Sequence, residues 1–146
     1  LSNEVSSIEA LSIRSPAIAG PDATRHFLAK ILKGMVTGLG EITASNPDHL
    51  FNNIVHENII AEFIVKLLDT ESVPTYRALP IGSTDPIPLR EIIDVMARAT
   101  NYKGQIKWVE PKSPPFRIDS TGAIELGYKP ITTLETVNRW MYDAKL

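Results

Sequence analysis

Proline and glycine punctuate this chain at regular intervals, eleven and eight of them in 146 residues, and the stretches between alternate helix-like with strand-like patterns. Leu11-Ser12-Ile13-Arg14 alternates apolar with polar, as a strand does, and runs into Ser15–Pro21, held extended because a residue before proline avoids the helical region. Asp22 is placed to cap a helix with Phe27, Leu28, Ile31 and Leu32 on one stripe, ending near Gly34, Gly38 and Gly40. Short strands follow about Gly40–Thr43 and Leu50–Val55. Ile59, Ile60, Phe63, Ile64, Leu67 and Leu68 recur every four residues and predict a helix with a wide buried face. A loop at 69–74 leads to a buried strand at Tyr76–Ile81, and Gly82–Pro86 turns the chain. Pro88 suits the first turn of a helix that buries Leu89, Ile92, Ile93 and Met96.

Ile106 and Trp108 share one face of a strand at Gln105–Val109, and Pro111–Pro115 forms a stiff connector. Asp119 caps a short helix stopped by Gly127, and the capping box Thr132–Glu135 opens a last helix with Leu134, Val137 and Met141 inward. A weak helical stretch occupies 3–9. The fold class is therefore α/β, a mixed α+β arrangement of short strands and about five helices.

The length allows one sizeable core, and 43% hydrophobic with 22% charged residues is a globular composition. A net charge of −2 gives no electrostatic footprint for nucleic acid or an anionic membrane, and no apolar run reaches the roughly 20 residues of a membrane span. The absence of cysteine excludes disulfides, thiol catalysis and thiolate metal centres. Leu1-Ser2-Asn3-Glu4 has no initiator methionine and no basic signal-peptide region, which hints at a fragment; a cytoplasmic location is expected.

Few residues stand out for chemistry. Gly34, Gly38 and Gly40 follow a helix rather than a strand, so they read as a helix stop and turn, not a dinucleotide loop. His26, His49 and His56 lack the H-x-x-x-H spacing of a metal pair, and no metal site is expected. Asp22 and His26, four apart on the expected helix, read as a solvated first-turn pair. His56 closes a strand and opens a helix, which suits either a site residue or a cap. Asn52 and Asn53 put two amides in a strand that disfavours them; either they satisfy loop backbone or they face a ligand. Arg117, between Phe116 and Ile118, fits an anion or a structural ion pair. Trp108 and Trp140 read as core or interface aromatics.

Four segments in order carry a resemblance. Ser12–Pro21 resembles the "L-R-P-x-x-V-Y-G-P" segment of the NAD-dependent epimerase/dehydratase family, the extended short-chain dehydrogenase/reductases. Phe51–Ala61 is similar to that family's "(D/N)-(F/N)-V-H-V-x-D-x-A" strand-to-helix junction. Ile81-Gly82-Ser83 with Pro88–Ile92 resembles "N-I-G-(x)-S-x-x-E-I", and Asp119–Pro130 resembles the closing "D-x-S-K-A-x-x-L-G-(W/Y)-x-P". The resemblance spans essentially all of residues 1–146 and implies the C-terminal, substrate-binding portion of a Rossmann-like protein.

It further implies NAD or NADP as cofactor of the full-length protein and a small-molecule substrate, sugar-like or other. By the match, Pro16, Ala17 and Ile18 lie beside the nicotinamide ring, and Asn52, Asn53, His56 and Arg117 wall the substrate pocket. No catalytic residue is carried over. The residues four after tyrosines 76, 102, 128 and 142 are Pro80, Ile106, Thr132 and Leu146, so the family's Tyr-x-x-x-Lys pair is missing, as is its glycine-rich loop. The resemblance therefore implies a part without activity or tight dinucleotide binding of its own, completed by an N-terminal portion or by a second copy of itself. A free-standing ligand-binding or protein-interaction module reusing this half-fold is the alternative. The chain departs from the family in having Ala17 where an Asn often precedes "V-Y-G", no basic residue between Lys33 and Lys66, Asn58 (or Ile59, if the match slips by one) for the junction Asp, and Thr121-Gly122-Ala123 for "S-K-A".

Overall fold

A computed structural model describes residues 11–70 and 77–145; the stretch expected to be helical at 3–9, residues 71–74 of the expected loop, and Tyr76 lie outside them. The strands are β1 (Leu11–Arg14), β2 (Ala17–Ala19), β3 (Glu41–Ser45), β4 (Leu50–Phe51), β5 (Ile54–His56), β6 (Arg77–Pro80), β7 (Ile87–Pro88) and β8 (Gln105–Val109). The helices are α1 (Phe27–Val36), α2 (Glu57–Leu68), α3 (Leu89–Ala99), α4 (Thr121–Glu125) and α5 (Thr133–Asp143). None is long and apolar enough to cross a membrane among the described residues.

The strands pair two by two. β1 with β6, β2 with β5 and β3 with β8 are parallel, and β4 with β7 is antiparallel. Parallel pairs need long crossovers and cover on their faces, and the helices supply it. One core joins α1, α3 and α5 to β2–β5 through Leu28, Ile54, Ile92, Ile93, Met96 and Trp140. A second lies beneath α2, where Ile59, Phe63 and Leu67 meet Leu79, Ala123 and Tyr128. In β3, Ile42 and Ala44 point inward while Glu41 and Thr43 point out, the period of two that a half-covered strand requires.

Several expectations are corrected by local chemistry. α1 is capped by His26, not Asp22: the imidazole Nδ1 accepts from Ala29 N at 3.2 Å, and Asp22 sits in the preceding turn. Hence Asp22 and His26 do not share a helix. Phe27 lies off the buried stripe, and Met35 joins it instead. The single strand expected over Leu50–Val55 breaks at Asn52-Asn53 into β4 and β5, which pair with different partners. α2 buries a narrower face than its periodicity suggests; Ile64 is exposed, and Leu68 is 80% exposed. Pro88 sits at the N-cap of α3 rather than inside its first turn. Trp108 is 37% exposed, whereas Trp140 is the largest fully buried side chain.

At α4, Ser120 occupies the cap position while Asp119 Oδ1 accepts from Thr121 N at 2.9 Å; the Thr121 hydroxyl bond, then that backbone bond, holds its carboxyl below the ordinary range. Half of the α5 capping box forms: Thr132 Oγ1 accepts from Glu135 N at 3.0 Å, and Glu135 turns to Arg139. Leu134 faces outward, and Thr133 and Thr136 are buried in its place. The glycine run after α1 is a helix stop, with Leu39 N donating to Gly34 O at 3.0 Å and Gly38 at φ 72°.

Candidate functional site

The break between β4 and β5 separates two asparagines with opposite surroundings. Asn52 is buried, and its carboxamide is fully used: Nδ2 donates to Ile118 O at 2.8 Å and Ser83 O at 3.3 Å, and Oδ1 accepts from Ile118 N at 2.9 Å. It stands in for a strand neighbour and clamps residue 118 to the core. Asn53 is half-buried; its Oδ1 is shut off from solvent and has no hydrogen-bond partner. A buried acceptor left unpaired is unusual, because desolvating it is costly.

Asn53 lines a cavity of about 490 Å³ walled by Phe27, Phe51, Leu89, Val109, Pro115 and Phe116. Phe27 meets Phe51 edge-to-face with ring centroids 5.6 Å apart. Thr43 to Asn46, on and beyond β3, and Glu110 with Lys112 to Phe116 complete its lining. His49 ties that second segment down, its Nε2–H donating to Phe116 O at 3.0 Å.

A neighbouring cavity of about 450 Å³ is lined by Pro16, Ala17 and Ile18, with Gly20, His26 and Glu57. The two cavities are joined by backbone: Ala17 N donates to Asn53 O at 3.3 Å, in register with the β2–β5 pairing. Consecutive residues serve the two, His26 lining one and Phe27 the other. His26 spends Nδ1 on the α1 cap, meets Trp140 at a 55° tilt with ring centroids 5.0 Å apart, and leaves Nε2 buried without a partner. Burial holds its pKa below the ordinary 6.5, so the ring is kept neutral.

Arg117 is exposed and lines a third cavity, of about 570 Å³, with Asn52, Asp85 and Asp119. His56 lies in none of these cavities. It is 1% exposed; Nε2 meets Asp143 Oδ2 at 3.0 Å, and Nδ1 accepts from Asn58 N at 3.4 Å, tying α2's start to α5's end. The structure thus brings Pro16, Ala17, Ile18 and Asn53 together and places Arg117 and His56 apart from them. His26, His49, Phe27 and Phe116 join the site without having been singled out for it. His26 in particular hides behind a carboxylate four residues away, and its capping role shows only where the helix actually starts. Among the described residues no group of three or more His, Asp or Glu is placed to hold a metal.

No protein-family model and no curated protein sequence matches the chain. Its fold does match solved structures. The UDP-glucuronic acid 4-epimerase of Bacillus cereus in complex with NAD superposes with a TM-score of 0.73 at 17% identity, over 94% of this chain and 44% of that one. The UDP-glucose 4-epimerase of Thermus thermophilus, also complexed with NAD, gives 0.67 at 16% identity over 94% and 47%. The dTDP-4-dehydrorhamnose reductase of Yersinia enterocolitica gives 0.69 at 23% identity over 92% and 49%. The chain spans less than half the length of these structures. At these identities the likeness is one of fold. It bears out the fold class read from the sequence, a mixed α/β arrangement of short parallel strand pairs and helices.

Proposed function

We propose that this chain is the substrate-binding part of an NAD(P)-dependent epimerase, dehydratase or reductase, resident in the cytoplasm, and that it has no turnover by itself. The observation that carries this reading is the seam between β2 and β5. It sets an apolar shelf, Pro16-Ala17-Ile18, directly beside the backbone of Asn53, whose side chain lines the neighbouring cavity. A shelf of that kind holds one face of a flat ring, and a neighbouring cavity of mixed apolar and polar lining orients a substrate against it.

The described residues fit only part of a dinucleotide. Ile18 is exposed on the shelf beside Pro16 and Ala17, so the apolar face of a ring is accommodated there. No glycine-rich strand-to-helix turn for a pyrophosphate occurs in the sequence. When bound, the nicotinamide supplies hydride transfer. The chain's own residues would hold the ring face (Pro16, Ala17, Ile18), and Asn53, with the cavity it lines, would orient the substrate. The proton-transferring Tyr-x-x-x-Lys pair and the dinucleotide cradle belong to a part outside these residues.

Calorimetric titration of the chain with NADH and NADPH, followed by a turnover assay with UDP-glucose and dTDP-4-dehydrorhamnose, tests the reading. Neither turnover nor dinucleotide binding tighter than about 1 mM is expected, because a lone ring contact spares few of the costs of association. Micromolar dinucleotide affinity or measurable turnover would contradict it.

A further inference from the structure

We infer that β1 and α2 form one docking surface for a second copy of this chain, joined about a two-fold axis that pairs β1 with β1 antiparallel and sets the two α2 helices side by side. The inference goes beyond the proposed function and does not depend on it. It starts from two neighbouring features that lack a partner. Among the described residues β1 pairs on one side only, with β6, and no proline or lysine guards its open edge. α2 carries two apolar stripes. Ile59, Phe63 and Leu67 are buried, while Ala61, Ile64, Val65 and Leu68, at the i, i+3, i+4, i+7 spacing of a second helix face, are exposed.

The two features share a side. Lys66, on the polar edge of α2, folds over Gly127 just past α4, where a methyl group would lie 3.1 Å from Lys66 Cγ. α4 packs on β6 and sends Ala123 into the core beneath α2. The polar edge of α2 therefore faces α4 and β6. The opposite edge, with Ile60, Ile64 and Leu68, leans over β1, and Ile60, Leu11 and Ile13 flank the same core.

The pattern of β1 selects the occupant. A strand inside a parallel sheet is covered on both faces and is apolar throughout, whereas β1 alternates half-buried Leu11 and Ile13 with exposed Ser12 and Arg14. One solvated face is what an antiparallel neighbour allows, and a two-fold axis perpendicular to the sheet makes β1 its own antiparallel neighbour. With Ser12 opposite Ser12, Leu11 of each copy meets Ile13 of the other on the covered face. The same axis lays the exposed α2 stripes together, each helix's positive N-terminal end beside the other's negative C-terminal end. The four residues of β1 and five of α2 (Ile60, Ala61, Ile64, Val65, Leu68) are under half of the roughly 20–30 residues a side of a standard interface, so the dimer is weak, with a Kd of the order of 10–100 µM.

Sedimentation velocity of the 146-residue chain over about 5–500 µM should pass from monomer to dimer. Leu68→Glu, at a side chain 80% exposed, should weaken the dimer about tenfold or more and leave the fold intact, because it sets two like charges in the seam. The chain has no cysteine, so Ser12→Cys supplies a single thiol per copy. Directly opposite strand residues lie within disulfide reach, so oxidation in a glutathione buffer should link two copies of Ser12→Cys far faster than two copies of Lys107→Cys, exposed on β8. A monomer throughout the range overturns the inference and leaves the edge to a strand of another polypeptide. A dimer that Leu68→Glu does not weaken, or Ser12→Cys linking no faster than Lys107→Cys, overturns it too, since association then runs through another face. The mass of the unaltered chain needs no variant, so a poorly folded Leu68→Glu does not shield the inference.

Discussion

Replacing Asn53 by leucine should stabilise the protein, although asparagine-to-leucine changes at half-buried positions ordinarily carry no such promise. The carboxamide oxygen of Asn53 is desolvated and unpaired, a condition that costs about 1–3 kcal/mol. Leucine removes that cost and lays methyl groups against the wall formed by Phe27, Phe51 and Leu89. The backbone at this position is not left-handed, so a branched side chain meets no strain there. A gain of about 1–2 kcal/mol corresponds to a rise of roughly 3–6 °C in melting temperature for a chain of this size. Asn52→Leu is the matched control. It strands Ile118 N, Ile118 O and Ser83 O and should cost about 3 kcal/mol or more. Differential scanning calorimetry of the two variants reads the contrast. A lower melting temperature for Asn53→Leu, or equal shifts for both, would refute the assignment of these neighbours to opposite roles.

Three further outcomes follow from the geometry. His26 is held neutral by burial, so the unfolded chain protonates first as pH falls below 6.5; stability is full above that value and declines down to the lower folded pKa. Urea melts from pH 8 to pH 5 should show this decline, and His26→Asn, which keeps a cap, should flatten it. Tyr128 donates its hydroxyl to Gly82 O at 3.0 Å, and burial raises its pKa far above 10.0; Tyr128→Phe should lower stability by about 1–2 kcal/mol in the same melts. His56→Leu leaves Asp143 unpaired and uncaps α2, so hydrogen exchange should quicken in the last turn of α5 and the first turn of α2 while α3 stays protected.

The elements with one strongly covered face were legible before any coordinates. α3 buries Leu89, Ile92, Ile93 and Met96, all four as its spacing requires, because charged residues on its outer side leave a single register. α2 was half legible: an apolar residue recurs at every fourth position on two adjoining faces, and periodicity alone does not say which face is covered. Pairing was not legible at all, since β4 and β5 turn to different partners across two residues. The Asn52 carboxamide replaces a ladder there, and that bond closes over 66 positions of sequence. The candidate site divides in the same manner. Asn53 stood out as an amide where amides are disfavoured, but whether an amide is spent or spare depends on what folds against it, and Asn52 and Asn53 differ only in that.

The segment from Pro111 to Phe116 carries three prolines along one wall of the cavity, and His49 bonds its last carbonyl. Proline fixes φ, so this wall is already stiff before anything enters beside it and gives up little disorder on occupancy. A wall set in this way selects for shape: what fits meets a surface already formed, and what does not fit finds no slack to take up.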